Sequence, residues 1–262
     1  MSITVAKSAG FCFGVNRAIN IVNSLLDKNV KVSTLGPIIH NMEVVNELES
    51  RGCKAVENID EVEKDATLVI RSHGVPKYVI DKLDENGVKY EDATCPFVKK
   101  IHNIVANPDN KDGIVLIAGN SVHPEVEGII GHCSTECHTF KNSEEIDEIY
   151  NIILKKNNKQ VFVVAQTTFD TKEWKKCVKK IKKLCTNAKI FDTICNATWA
   201  RQQEAEDLSQ QCDIIVVIGG HHSSNTQKLV QVAAKHTRAV TVETASELRP
   251  EWFADVKVAG VT

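Results

Sequence analysis

The chain has 262 residues, of which 42% are hydrophobic and 25% are charged, and its formal net charge is −2. This composition is that of an ordinary globular protein, and the near-neutral charge does not indicate a nucleic-acid or membrane partner. Since the sequence shows neither a signal peptide nor an apolar run long enough to span a membrane, we expect a cytoplasmic protein that binds neither nucleic acid nor membrane.

Amphipathic stretches alternate with continuous apolar runs along the chain. The first stretch places six apolar residues on one helical face, namely Val15, Ala18, Ile19, Val22, Leu25 and Leu26. Apolar runs that are typical of strands buried on both faces of a parallel sheet follow at residues 67–71, 113–118, 161–165 and 213–218. A further helical face comprises Trp174, Val178, Ile181 and Cys185. This alternation predicts an α/β protein with parallel sheets.

The order strand, cysteine, helix occurs three times, at Cys12, Cys95 and Cys195. Because the copies are a domain length apart, we predict three related α/β units at residues 1–95, 96–194 and 195–262. We expect these units to form a pseudo-threefold trefoil. The third unit ends after its second predicted strand, so it is expected to be truncated. The N-terminal strand, residues 3–7, is predicted to join the sheet of this third unit.

These three cysteines are predicted to bind a metal cluster. A cysteine that directly precedes a helix lies near the positive end of the helix dipole, which favours the thiolate. Three thiolates converging on the trefoil axis are too few for a closed zinc site. They suit an iron–sulfur cluster with one open iron that can act as a Lewis acid. Four other cysteines are interpreted as buried fillers: Cys53, Cys177, Cys185 and Cys212.

Polar residues follow several predicted strands, at the sheet edge where α/β proteins bind ligands. The set comprises His40, His73, His123, Ser223, Ser224 and Asn225. Neutral or cationic donors of this kind suit a diphosphate. We expect the helices after His123 and Ser223 to add their N-terminal N–H groups. No P-loop or dinucleotide fingerprint is present.

Three further residues could donate, relay or orient a proton. Glu125 is a candidate proton donor if it is desolvated, although a solvated glutamate in the first turn of a helix is the more common case. Thr167 and Thr168 could orient an alcohol or relay a proton, or they could cap the helix that follows.

Other interpretations remain open. The stretch HCSTECH, residues 132–138, together with His221 and His222, would suit a zinc-dependent hydrolase, but its spacing matches no common zinc finger and a surface turn is the simpler interpretation. A phosphate-binding α/β module without redox chemistry would explain the histidines but not the matched cysteines. The lysine-rich stretch at 172–183 is interpreted as a solvated face and, more weakly, as a docking surface for an acidic electron carrier.

The residues at the repeated cysteines and strand ends also match a known family. The chain resembles the 4-hydroxy-3-methylbut-2-enyl diphosphate reductases, which catalyse the last step of the non-mevalonate isoprenoid pathway. The resemblance is carried by GFCFGVNRAI, LGPIIHN, SHGVP, DATCP, GNSVHPEVEG, QTT, the region of Cys195, and SSNT. It extends from Gly10 to the last residue.

The resemblance implies a trefoil of three α/β units around a [4Fe–4S] cluster with an open iron. It implies that the cluster ligands are Cys12, Cys95 and Cys195. It implies diphosphate binding by His40, His73, His123, Ser223, Ser224 and Asn225. In the same way it makes Glu125 the proton donor and Thr167 the residue that holds or protonates the substrate hydroxyl.

The implied reaction is the reductive dehydration of (E)-4-hydroxy-3-methylbut-2-enyl diphosphate to isopentenyl and dimethylallyl diphosphate. Flavodoxin or ferredoxin is the implied electron donor. The family pattern continues past Thr262 with a serine-bearing loop and a helix, which agrees with the expectation that the third unit is incomplete.

Overall fold

The structure is a computed structural model that describes residues 1–107, 112–152 and 159–262. The strands within these ranges are β1 Ser2–Val5, β2 Val32–Leu35, β3 Cys53–Val56, β4 Thr67–Ile70, β5 Tyr90–Asp92, β6 Ile114–Ala118, β7 Cys137–Phe140, β8 Val161–Ala165, β9 Ala188–Ile190, β10 Ile214–Ile218, β11 Arg238–Val242 and β12 Val258–Val261. The α-helices are α1 Phe13–Leu26, α2 Met42–Ser50, α3 Lys77–Glu85, α4 Pro96–Val105, α5 Pro124–His132, α6 Glu145–Ile152, α7 Thr171–Leu184, α8 Asn196–Ser209 and α9 Ser224–Ala233. Short 3-10 helices occur at Ile59–Glu61, Ala245–Glu247 and Pro250–Phe253.

The chain divides into two compact units. The larger unit comprises Phe13–Ile38 and Glu47–Ile194. The smaller unit comprises Met1–Cys12, Ile39–Asn46 and Cys195–Thr262. The smaller unit is therefore built from segments that are distant in the sequence.

The larger unit contains two four-stranded sheets with the same strand order. One runs β3-β2-β4-β5 and the other β7-β6-β8-β9. Every neighbouring pair in both sheets is parallel. Parallel neighbours need crossover connections, and helices supply them here. In each sheet the first strand along the chain, β2 or β6, pairs with the second on one side and with the third on the other. The fourth strand, β5 or β9, pairs with the third at the edge of the sheet.

The smaller unit contains one four-stranded parallel sheet, in the order β1-β12-β10-β11. Strand β10 pairs with β11 on one side and β12 on the other, as β2 and β6 do with their neighbours. The N-terminal strand β1 pairs in parallel with β12, with Ser2 opposite Val258. It occupies the place that β5 and β9 hold in the larger unit. The prediction of three α/β repeats, each built on its own parallel sheet, is confirmed: two of the sheets lie in the larger compact unit and one in the smaller.

The continuous apolar runs are the central strands of these sheets. All described residues of β4, β6 and β8 are buried. Strand β10 is buried up to its last residue, Ile218, which is 56% exposed. Burial on both faces explains why these strands show no alternation of polar and apolar residues.

The two amphipathic stretches form α1 and α7. Ala18 and Val22 of α1 are fully buried, and Trp174 and Ile181 of α7 are buried in the same way. Most lysines of α7 lie on its exposed face, as predicted. Among the described residues, the helices are too short or too polar to cross a membrane.

Candidate active site

His73 lies in a tight turn directly after β4. The turn is closed by a hydrogen bond of 3.0 Å from the Gly74 N–H to the Arg71 carbonyl, and Gly74 has a φ of +73°. Positive φ is readily adopted by glycine, which explains the SHG sequence. The turn brings the half-buried His73 ring against the ring of His123, edge to face, with the centroids 5.6 Å apart. The two predicted histidines of the larger unit therefore lie side by side.

His123 is the N-cap residue of α5, and its side chain supplies the cap. Its Nδ1 atom accepts a hydrogen bond of 3.1 Å from the Glu125 N–H. An accepting Nδ1 carries no proton, so the neutral ring bears its proton on Nε2. The helix cap thus selects the tautomer that presents an Nε2–H donor.

The first turn of α5 does not offer the N–H groups that the sequence suggested. Pro124 at the first helical position has no N–H. The Glu125 N–H is bonded to the His123 ring, and the N–H groups of Val126 and Glu127 are bonded to the His123 carbonyl at 2.9 and 3.0 Å. The expectation that this helix end supplies anion donors is wrong, because its own cap uses them. The side chain of His123 remains the donor at this position.

Glu125 is buried against Thr167, which follows β8. One carboxylate oxygen accepts the Thr167 N–H at 2.6 Å, and the other accepts the Thr167 hydroxyl at 2.9 Å. Glu125 is 2% exposed and Thr167 is 7% exposed. The alternative of a solvated first-turn glutamate is therefore wrong.

Burial gives the Glu125 carboxyl group the character of an acid that works near neutral pH. Desolvation raises its pKa to about 7, although the two hydrogen bonds from Thr167 favour the carboxylate and oppose part of that rise. A substantial fraction of Glu125 is then protonated at neutral pH. A general acid is most effective when its pKa is close to the working pH.

The raised pKa of Glu125 predicts a pH dependence of stability in the metal-free protein. A carboxyl group whose pKa rises from 4.5 to about 7 on folding stabilises the fold fully below pH 4.5. That stabilisation is lost as the pH rises from 4.5 through about 7, because over this range the unfolded state releases the proton while the folded state still retains it. The loss amounts to about 3 kcal/mol. Urea unfolding between pH 5 and 8 should show this slope in wild type and a flatter profile in Glu125→Gln; equal slopes would contradict the shift.

The neighbouring Thr168 is not a helix cap. The N-cap residue of α7 is Asp170, whose carboxylate accepts the Glu173 N–H at 2.8 Å. The Thr168 hydroxyl instead accepts a hydrogen bond of 3.1 Å from the Gln166 side-chain amide. The capping interpretation of the two threonines is therefore wrong, and Thr167 faces Glu125 rather than the helix.

The smaller unit holds the other predicted diphosphate donors. A Cβ atom on Gly220 would lie 2.0 Å from the His40 carbonyl oxygen, so only glycine allows the loop after β10 to approach His40 this closely. Ser223 caps α9, and its side chain accepts the Thr226 N–H at 3.4 Å. Ser224 and Asn225 are the first two residues of α9 and are half-buried. His40 and this loop thus lie together within one unit.

The three repeated cysteines all stand directly before a helix. Cys12 precedes α1, while Cys95 and Cys195 are the N-cap residues of α4 and α8. All three are half-exposed and lie outside any disulfide. The sulfur of Cys195 is 3.4 Å from the Thr198 N–H, which donates to it, and 3.1 Å from the Thr198 hydroxyl.

This donor set fits a thiolate-bound cluster. Cysteine sulfurs are the usual ligands of iron–sulfur clusters, and these three are accessible enough to bind one. Thr198 is a site residue that was not predicted from the sequence. Its position three residues after the N-cap, where a side chain can reach back to the cap residue, is a signal that could have identified it.

Comparison with known proteins decides the family. The model of the family described as "LytB protein" matches residues 3–262. A 4-hydroxy-3-methylbut-2-enyl diphosphate reductase of Clostridioides difficile (strain 630) is 38% identical over 263 residues, which cover 100% of this chain and 93% of the relative. This chain belongs to the LytB family.

Two solved structures of LytB-type reductases resemble the chain. The structure of the E-1-hydroxy-2-methyl-but-2-enyl-4-diphosphate reductase from Plasmodium falciparum matches with a TM-score of 0.91 at 28% identity, covering 100% of this chain and 82% of that one. A structure described as (E)-4-hydroxy-3-methyl-but-2-enyl diphosphate reductase, the terminal enzyme of the non-mevalonate pathway, matches with a TM-score of 0.69 at 36% identity, with coverages of 100% and 93%. The family resemblance found in the sequence is confirmed.

The four cysteines interpreted as fillers are buried in this LytB chain. Burial raises the pKa of Cys53 to about 11 and that of Cys177 to about 12, and it raises the pKa values of Cys185 and Cys212 as well. Buried thiols of this kind stay protonated and inert at neutral pH. They contrast with the three half-exposed cysteines at helix starts.

The stretch HCSTECH is not a simple surface turn. Cys133 is the C-cap residue of α5 and Cys137 begins β7. The Cys133 thiol donates a hydrogen bond of 3.4 Å to the Ile129 carbonyl, and its side chain also interacts with that of Cys137. His132 stacks on His102 with ring centroids 4.0 Å apart, and His138 pairs with the Glu136 carboxylate at 2.9 Å. The two histidines are thus engaged elsewhere, which argues against a zinc site here.

The contact between Cys133 and Cys137 predicts unequal reactivity. The interaction with the Cys133 side chain lowers the pKa of Cys137 below that of an ordinary thiol, although partial burial opposes the change. Cys137 should therefore react with iodoacetamide at a lower pH than Cys53 or Cys177. Mass spectrometry of alkylated peptides across pH 6–9 would test this; equal pH profiles for Cys137 and Cys53 would contradict it.

Proposed function

We propose that this chain catalyses the reductive dehydration of (E)-4-hydroxy-3-methylbut-2-enyl diphosphate to isopentenyl and dimethylallyl diphosphate. The allylic C–O bond breaks, two electrons and two protons are taken up, and water leaves. One observation carries the proposal: three half-exposed cysteines each stand directly before a helix, in a chain that matches named reductases over its full length.

The proposed ligands of a [4Fe–4S] cluster are Cys12, Cys95 and Cys195. When bound, the cluster supplies electrons and an open Lewis-acidic iron for the alcohol end of the substrate. The support for the assignment is the position and exposure of the three sulfurs. The buried cysteines have neither this position nor this exposure. Desolvation also raises the pKa values of Cys53 and Cys177, which keeps these thiols protonated.

The proposed diphosphate ligands are three histidines, two serines and an asparagine. In the larger unit, His73 and His123 present adjacent rings, and the cap of α5 selects the Nε2–H donor of His123. In the smaller unit the proposed ligands are His40, Ser223, Ser224 and Asn225. Donors without a fixed positive charge bind a diphosphate by hydrogen bonds that position the alcohol end for reaction.

Glu125 and Thr167 form the proposed proton path. Glu125 supplies a proton because burial keeps a substantial fraction of it neutral at pH 7. The Thr167 hydroxyl oxygen lies 2.9 Å from the Glu125 carboxyl group. When Glu125 is protonated, it can donate to this oxygen, and the Thr167 hydroxyl proton is then available to the substrate oxygen. A proton that passes from Glu125 through Thr167 would convert the departing hydroxyl into water.

Flavodoxin or ferredoxin is the proposed electron donor, and the cytoplasm is the proposed location. The support for the donor is the exposed lysine face of α7, which comprises Lys172, Lys175, Lys176, Lys179, Lys182 and Lys183. A basic face favours encounter with an acidic protein and makes the association rate depend on salt.

Anaerobic purification followed by a turnover assay tests the proposal. The protein is expected to be brown and to contain iron and acid-labile sulfide. With a one-electron donor it should convert the allylic diphosphate to both products. A colourless protein without iron that still binds diphosphate would contradict the proposed reaction and would indicate a phosphate-binding module instead.

A further inference from the structure

Two side chains of α8 hold the segment in front of Cys12. The carboxylate of Glu204 accepts the N–H of Lys7 at 2.6 Å through one oxygen and the N–H of Ser8 at 2.8 Å through the other. The Ser8 hydroxyl also donates to Glu204. Arg201 donates to the Ser8 carbonyl at 3.2 Å and to the Gly10 carbonyl. Four main-chain groups between β1 and Cys12 are therefore bound by one helix face.

Burial does not hold this segment in place. Lys7, Ala9 and Gly10 are exposed, and the side chain of Phe11 is 45% exposed. An exposed segment with few apolar contacts is easily displaced unless hydrogen bonds hold it. The hydrogen bonds from Ser8 and Lys7 outweigh the partial desolvation of Glu204 and keep its pKa below the ordinary value.

An arginine of α1 holds the segment in front of Cys95 in the same manner. Arg17 donates to the Asp92 carbonyl at 3.1 Å and to the Thr94 carbonyl at 3.2 Å, through separate guanidinium nitrogens. Thr94 is the residue directly before Cys95. A planar guanidinium can bind two carbonyls at once, which a lysine ammonium does with less geometric control.

The two arrangements share one pattern. The helix that follows Cys195 carries Arg201, which binds the segment in front of Cys12. The helix that follows Cys12 carries Arg17, which binds the segment in front of Cys95. Each of these helices thus begins at one proposed ligand and fixes the main chain that leads to another.

We propose that Arg17, Arg201 and Glu204 are positioning residues. They hold the main chain in front of Cys12 and Cys95 in the conformation that binds the cluster. The proposal rests on the assignment of these cysteines as cluster ligands. Groups that orient metal ligands without touching the metal typically contribute about 10- to 100-fold to metal affinity. Here the oriented group is the main chain next to the ligand, so the contribution should appear as slower loss of iron.

The test compares Glu204→Gln and Arg17→Met with wild type. Both variants are purified anaerobically with the cluster, and iron release to a chelator is followed by absorbance. We expect release about 10- to 100-fold faster than in wild type. The thermal unfolding midpoint of the metal-free protein should change little in Glu204→Gln, because the segment that Glu204 binds is largely exposed.

Two matched controls separate positioning from general stability. Glu173 of α7 likewise accepts a main-chain N–H, that of Ser143 at 2.7 Å, but the segment does not lead to a proposed ligand. Arg51 forms an exposed ion pair with Asp27 at 2.6 Å. Glu173→Gln and Arg51→Met should release iron at the wild-type rate. Equal acceleration in the controls, or wild-type release in the two positioning variants, would overturn the proposal.

A second readout does not depend on the cluster. In the metal-free protein, the Lys7 and Ser8 amide hydrogens should exchange faster in Glu204→Gln than in wild type. Unchanged exchange would overturn the role of Glu204. If wild type binds no iron while the amide exchange rates respond as expected, the assignment of the cysteines as cluster ligands is wrong. The hydrogen bonds from Lys7 and Ser8 to Glu204 would then hold the segment without a role in cluster binding.

Discussion

Glu125→Gln is expected to retain the cluster and bind the diphosphate while turnover falls by about 10²- to 10⁴-fold, the usual contribution of general acid catalysis. Glutamine has nearly the same shape as glutamate, and its amide oxygen can still accept a hydrogen bond from Thr167. It cannot donate an acidic proton. The change therefore removes the proton source and leaves the packing of this buried site in place. Steady-state rates with a reduced one-electron donor and iron analysis measure the two properties separately.

Glu127→Gln is the matched control, because Glu127 lies on the same helix two residues further on and is exposed. It should turn over at close to the wild-type rate. In wild type, turnover should decline as the pH rises above about 7, since Glu125 then loses its proton. Near-normal turnover in Glu125→Gln would remove this residue from the mechanism.

The parallel sheets could be predicted because their central strands are distinctive. Residues of strands buried on both faces are predominantly apolar, so β4, β6, β8 and β10 stand out as nearly continuous apolar runs. The outer strands do not have this property. Strands β5 and β9 contain three residues each and are half-exposed, which is too short and too polar for periodicity to reveal.

The chemical state of the site could not be predicted from residue types. The pairing of Glu125 with Thr167 joins residues 42 positions apart, and its effect on the pKa depends on burial that the sequence does not encode locally. The same limit applies to His123, whose ring accepts the N–H expected to bind an anion. Position at a strand end is predictable from topology, but the competition for each hydrogen bond is settled by three-dimensional packing.

The cysteine at a helix start has two roles that a single substitution can separate. Cys95 is the N-cap residue of α4. Serine is among the preferred N-cap residues, so Cys95→Ser should leave the metal-free fold at least as stable as wild type. A serine hydroxyl stays protonated at neutral pH and does not replace a thiolate as a ligand of iron. Stability and cluster binding are thus expected to respond in opposite directions.

Cys95→Ser should therefore be colourless, with iron and turnover at background, and should unfold at or above the midpoint of metal-free wild type. Cys137→Ser is the control, because Cys137 is also a half-exposed cysteine outside any disulfide but begins a strand rather than preceding a helix. It should stay brown and active. A brown, active Cys95→Ser protein would contradict the ligand assignment, whereas parallel loss of colour in both variants would show that exposed thiols matter for purification rather than for the cluster.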